Sequence, residues 1–149
     1  MFHITAAFLL VGGSVSAGIF NALALRAERP SETAYLLGLV RVTLPFIYVG
    51  VLGTLVFGLW LWHELHFSFG ALWIWLSLVL WVATNALGGI GGRHQERSRA
   101  LAEKLADAGD ASTPELQALL HDRTGNAMSW LAGAATIGIL VLMIWKPGT

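Results

Sequence analysis

A chain of 149 residues that is 56% hydrophobic and 12% charged carries more apolar surface than one soluble domain of that size can bury. Nine basic residues balance nine acidic ones, which excludes the basic footprint of a nucleic-acid binder. The absence of cysteine excludes disulfides, thiolate zinc sites, iron–sulfur clusters and thiol redox chemistry, so a bound metal or heme must take His, Met, Tyr, carboxylate or backbone ligands.

No Asp, Glu, Lys or Arg occurs from Met1 to Leu25. A run of that length crosses a hydrocarbon core of about 30 Å at a helical rise of about 1.5 Å per residue, which predicts a first span near 3–25. His3 opens it. The run has no basic segment before it and its arginines follow it, so it reads as a retained anchor rather than a cleaved signal. In "RPSET", Ser31 is the predicted N-cap and Glu32 stands in the first turn, so the second helix starts near Glu32, in the cytoplasm, and runs on through Arg41. The span proper covers about 42–63, with Pro45 expected to kink it.

The second span ends in "LWHELHFSFGALW", which sets His63 and His66 on either side of Glu64. A third span follows at about 71–92. The next connection reads as a short amphipathic helix, about 95–108, ending at Gly109. "STPEL" restarts a helix with Thr113 as cap and Pro114 in the first helical position, and Thr124, Gly125 and Asn126 are expected to break it. The fourth span covers about 126–145. These runs are too long and lack the alternation of barrel strands. The fold class is therefore all-α membrane: one domain, 1–149, built as an up-down-up-down bundle of four transmembrane helices with a cytoplasmic helical loop between helices 3 and 4.

Basic residues set the direction. Arg26, Arg29 and Arg41 lie on the first connection, and Arg93, Arg97, Arg99, Lys104 and Arg123 on the third. The second connection has no Lys or Arg. The positive-inside rule then places both basic connections in the cytoplasm and both termini outside the cytoplasmic membrane. Trp60, Trp62, Trp73, Trp75 and Trp145 fall at the outer boundary, Trp130 at the inner one, and Trp81 near mid-membrane. Small residues four apart are expected to let helices approach: Gly12 and Ser16, Ser14 and Gly18, then Gly50, Thr54 and Gly58, then Gly88 and Gly92, then Ala134 and Gly138. Asn21 and Asn85 are expected to hydrogen-bond across helices, and Arg41 to snorkel to headgroups or hold an anionic group.

This topology gathers His3, His63, His66 and Glu64 at the outer face, and leaves His94 and His121 at the other. Copper and heme iron both accept imidazole. A heme b would take one histidine from each of two helices, His3 with His63 or His66; a copper ion would take His3, His63 and His66, with Glu64 as a further donor. The alternative is that these histidines, like the tryptophans, are amphipathic side chains resting at an interface, and that the chain is a non-catalytic accessory or scaffold subunit of a larger respiratory or transport complex. "HELH" lacks the four-residue histidine spacing of zinc proteases. No acidic residue falls mid-span, as a proton-coupled transporter would need. No complete catalytic constellation is present. Partners are the lipid bilayer and either another membrane protein or further copies of the chain, with no nucleic acid.

"HITAAFLLVGGSVSAGIF", the arginine-bearing start of the second helix and the terminal "LMIWKPG" resemble the bacterial membrane proteins of domain-of-unknown-function family 2269 over nearly the whole chain. That family is distantly similar to the copper-resistance D proteins and to the membrane four-helix protoporphyrinogen oxidases, whose first span also opens with a histidine. The resemblance implies His3 as an axial ligand. The oxidases rely on a lysine within the bundle, whereas Lys104 and Lys146, the only lysines here, both lie outside the spans.

Overall fold

The computed structural model describes residues 1–64 and 72–145. They form α1 (Phe2–Ala24), α2 (Pro30–Glu64), α3 (Leu72–Asp107), α4 (Pro114–Leu120) and α5 (Arg123–Trp145), with no strand among the described residues. Four segments are long and apolar enough to cross a membrane: α1, α2, α3 and the stretch 114–145 that ends in α5. The chain is an all-helical integral membrane protein with four spans.

Close approaches at glycine give the register. Gly13 backs onto Thr43 and Ile47, Gly50 onto Leu10, Gly53 onto Ala6 and Gly58 onto His3. Numbers fall on α1 as they rise on α2, so the two run antiparallel. In the same way Gly91 meets Ser129, Gly125 meets His94 and Gly138 meets Leu80, which makes α3 and α5 antiparallel. The two pairs join mainly through α2 and α3, and a thinner α1–α5 contact closes the bundle. This is the expected up-down-up-down order. Lipid supplies no hydrophobic drive between helices, so backbone contact at missing side chains does the work.

The glycines that do it are only partly the expected ones. Gly50 and Gly58 serve as read. Gly138 does too, whereas Gly12, Gly18, Gly88 and Gly92 face open space, and Gly13, Gly53, Gly91 and Gly125, not in the expected stripes, touch a neighbour. Four-residue spacing identifies a stripe but not the direction it faces. A shift of one residue turns a side chain by about 100°.

The predicted amphipathic segment 95–108 is not a separate helix. α3 continues without a break from the span to Asp107. No proline interrupts it, and contacts of Gly91 with Ser129 and of His94 with α4 and α5 hold the glycine-rich stretch helical. It ends at Gly109 as expected, with Gly109 at φ 115° and the Asp110 amide donating to the Leu105 carbonyl. Thr113 caps α4, accepting from the Leu116 amide at 3.3 Å, with Pro114 in the first position. The break before the last span comes earlier than 124–126. Asp122 accepts from the Gly125 amide at 2.8 Å and so starts α5 at Arg123.

The tightest core lies at the arginine-bearing end. Ala24, Leu37, Val40, Ala102, Leu116 and Leu120 bury one another there, where α2 and α3 run past the spans and α4 folds back on them. Toward the other end, apolar side chains such as Phe8, Val15, Leu52, Val56, Val79 and Ile137 point outward, as they must in lipid.

Ser31 is not an N-cap. Pro30 takes the first position of α2, where its fixed φ suits a helix start, and Ser31 follows it. The orphan donors are met from far away in sequence: Asp110 Oδ1 accepts from the Ser31 amide and Oδ2 from the Ser31 hydroxyl, both at 2.7 Å. The Ser31 hydroxyl and amide hold the Asp110 carboxyl below its ordinary range. A carboxyl so lowered adds stability above the unfolded aspartate value of about 3.9, and that contribution fades as pH falls through the lower folded value. Asp110→Ala is expected to loosen the 108–113 connection at neutral pH. Asn, which tolerates the φ of 59° at this position, should do so less. Limited proteolysis of the detergent-solubilised chain checks this; equal cleavage rates would refute it.

Candidate functional site

The histidine-bearing end is built by the first turn of α1 and the last turns of α2. Phe2 stacks on Phe57 with ring centroids 5.4 Å apart, which fixes the entry of α1. Beside that pair the His3 ring fills the space left by Gly58: a Cβ there would stand 3.2 Å from His3 Cε1. The ring also faces the Thr54 backbone. Its Nδ1 is buried and has no hydrogen-bond partner among the described residues. Imidazole nitrogen in apolar surroundings normally finds a donor or a metal, so among the described residues this atom is a candidate for holding a ligand.

His63 and Glu64 are exposed at the end of α2. His63 lies five residues past Gly58, about 7.5 Å further along the helix axis than the level of His3. His66 lies outside the described residues. Among the described residues no three His, Cys, Asp or Glu side chains gather as a metal set.

α3 adds polar atoms that sequence reading left unexplained. Trp81, read as a mid-membrane tryptophan, turns its indole Nε1 into the protein, where it meets no acceptor among the described residues. Ser77 Oγ and Thr84 Oγ1 are likewise buried and unpartnered. These three residues recur at four and three positions, on one face of α3. Inside a membrane an unsatisfied donor costs several kcal/mol, so such a stripe marks where water or a ligand would be held. A period of 3.6 in Ser, Trp and Thr was the available signal.

At the other end a second polar centre joins all four long helices. Asn21, Leu37, His94, Ser98 and Asn126 line a cavity of about 10 Å³, the size of one water molecule. His94 Nε2 lies 2.8 Å from the Leu119 carbonyl and Nδ1 lies 3.9 Å from Asp122 Oδ2. Asn21 is buried among other helices at this cavity, but among the described residues its side chain shows none of the expected hydrogen bonds across helices. Asn85 is not buried: it is exposed and donates to the Trp81 carbonyl of its own helix. Its side chain points away from the bundle, so no neighbour is in reach. Arg41 lies near Glu96 of α3, whose carboxyl is held below its ordinary range first by the Arg99 hydrogen bond and further by the Arg41 charge. His94 follows Arg93 in a charged stretch and reads, with His121, as a residue of the cytoplasmic face; only the α3–α5 pairing shows that its ring is packed between helices.

No curated protein and no solved structure matches the chain. Four apolar spans in one antiparallel bundle agree with a family model described as a predicted integral membrane protein (DUF2269), which matches residues 1–147; the chain belongs to that family.

Proposed function

We propose that the chain binds a redox metal at the histidine-bearing end of the bundle, as a copper ion or as heme b, with His3 as its principal protein ligand and His63 or His66 as the second. The observation that carries this reading is the buried, unpartnered Nδ1 of His3. Polar atoms in a membrane interior are retained where something satisfies them. Such a group would supply one-electron chemistry. The residues' part is to orient it: Gly58 leaves the ring its space beside the stacked Phe2–Phe57 pair. By the distribution of arginines this end faces outside the cell.

The test is absorption and metal analysis of protein purified from native membranes in mild detergent. A Soret band or one equivalent of copper is expected. His3→Ala should reduce it at least tenfold with an unchanged elution profile, and His63→Ala should reduce it less. Neither chromophore nor copper in the native chain, or full retention in His3→Ala, would overturn the reading.

A second reading, an accessory subunit of a larger complex, draws on one observation. Asn85, Gly88, Gly89 and Gly92 form an exposed row of small and polar residues on α3, the kind of surface another transmembrane helix can approach closely. Migration of the chain as a lone monomer after gentle extraction would count against it.

A further inference from the structure

Asn21 of α1 is 7% exposed, and its amide forms no hydrogen bond with another described residue. A side-chain amide brings two N–H donors and one acceptor oxygen. Asn85 shows the local remedy on a membrane helix: its Nδ2 donates to the Trp81 carbonyl, four residues back on the same helix. Asn21 makes no such bond. It lines the cavity of about 10 Å³ where all five helices meet. An amide buried without a partner is unfavourable, and a membrane span offers no bulk water to relieve it.

The opposite wall of the cavity supplies what this amide lacks. Ser98 Oγ donates to the His94 carbonyl at 3.1 Å, so its lone pairs remain to accept. Asn126 Nδ2 donates to the Leu120 carbonyl at 2.7 Å, so its Oδ1 remains as an acceptor. Neither is within hydrogen-bond reach of Asn21, because the cavity stands between them. The His94 ring is committed elsewhere, with Nε2 engaged by the Leu119 carbonyl and Nδ1 turned to Asp122. Leu25, Leu37 and Leu120 complete the walls. A space of one water's size with two to four polar partners is the condition under which a buried water is held.

We propose that this cavity is a binding site for one resident water molecule that ties α1 to the α3–α5 pair. The water accepts from Asn21 Nδ2 and donates to Ser98 Oγ and Asn126 Oδ1. Its two donors and two acceptors suit an amide facing two oxygens. A metal cation cannot accept from an N–H, and no carboxylate lines the walls. The bridge matters because, among the described residues, α1 does not pack against α3 and meets α5 only thinly. The site lies at the opposite end of the bundle from His3, so it stands or falls independently of metal binding.

The test is water-to-protein cross-relaxation by nuclear magnetic resonance, on the full chain with isotope-labelled asparagine in deuterated detergent. The rotating-frame form of the experiment separates through-space transfer from proton exchange by its sign. Through-space peaks from water to the side-chain amides of both Asn21 and Asn126 are expected. Ser98→Ala should keep both; their loss there would trace them to the hydroxyl proton and overturn the proposal. Asn21→Val removes the amide, and should weaken the Asn126 peak at least fivefold at unchanged helical content by circular dichroism. No peak at either amide of the native chain, or an undiminished Asn126 peak in Asn21→Val, would overturn the proposal. So would a native unfolding midpoint that rises when sodium chloride replaces choline chloride while that of Asn21→Val does not, since that result assigns the cavity to a cation.

Discussion

Gly50→Ala is expected to destabilise the bundle by about 1–3 kcal/mol, a large cost for one methyl group. The added Cβ would stand 2.5 Å from the Leu10 amide nitrogen and 2.7 Å from Leu10 Cα. These are backbone atoms, so no rotamer change can make room. Either α1 and α2 separate locally or one of them bends. That interface is the most extensive in the molecule, and the contacts at Gly13, Gly53 and Gly58 share its register, so separation at one level is felt at the others. Gly12→Ala supplies the control. Nothing lies within 4 Å of its Cβ, and removing a glycine from a helix interior gains roughly 0.5–1 kcal/mol. Thermal unfolding in detergent, followed by circular dichroism, should show Gly50→Ala well below the native chain and Gly12→Ala at or above it. Equal midpoints for the two variants would mean that α1 and α2 do not meet at this glycine.

Gly125→Ala should also cost about 1–3 kcal/mol, for a different reason. Its Cβ would overlap the His94 ring at Cγ and Cδ2. A histidine on the surface would swing away. This one is held, because Nε2 is engaged by the Leu119 carbonyl and Nδ1 faces the Asp122 carboxylate, which itself caps α5. Displacing the ring thus costs the carbonyl its partner, a penalty of roughly 1–3 kcal/mol for a buried group. His94→Ala alone removes that same hydrogen bond. The two substitutions are therefore expected not to add: with the ring gone, the methyl at 125 has space, and Gly125→Ala should cost little in the His94→Ala background. A double-mutant cycle on unfolding midpoints reads the coupling directly. Additive losses would show that the ring and the glycine do not share the space.

These two glycines illustrate what residue order decides and what packing decides. Long charge-free runs dictate helices that cross a bilayer, since backbone polar groups in lipid have no other partner than their own helix. The span count, the helix start before Arg41, the end at Gly109 and the Thr113–Pro114 restart follow from local chemistry and stand in the structure. So does the exposed position of His63 and Glu64 at a helix end, whereas His66 lies outside the described residues.

Local chemistry has no information about rotation or about distant partners. Gly12 and Gly13 are neighbours with the same composition around them, yet only Gly13 meets α2, because the angle at which a helix presents its face is set by the whole interface. Ser31 looked like its own helix cap, yet the carboxylate that satisfies that helix start comes from Asp110, brought near by the fold-back of α3 and α4. His94 sat in a charged stretch and became interior only when α3 and α5 paired. His3 was legible as a candidate from its place at the head of the first span, but its buried and unpartnered Nδ1 depends on α2 presenting Gly58 at that level. Hydropathy is a property of segments, whereas the burial of a single polar atom depends on which neighbour arrives and at what depth.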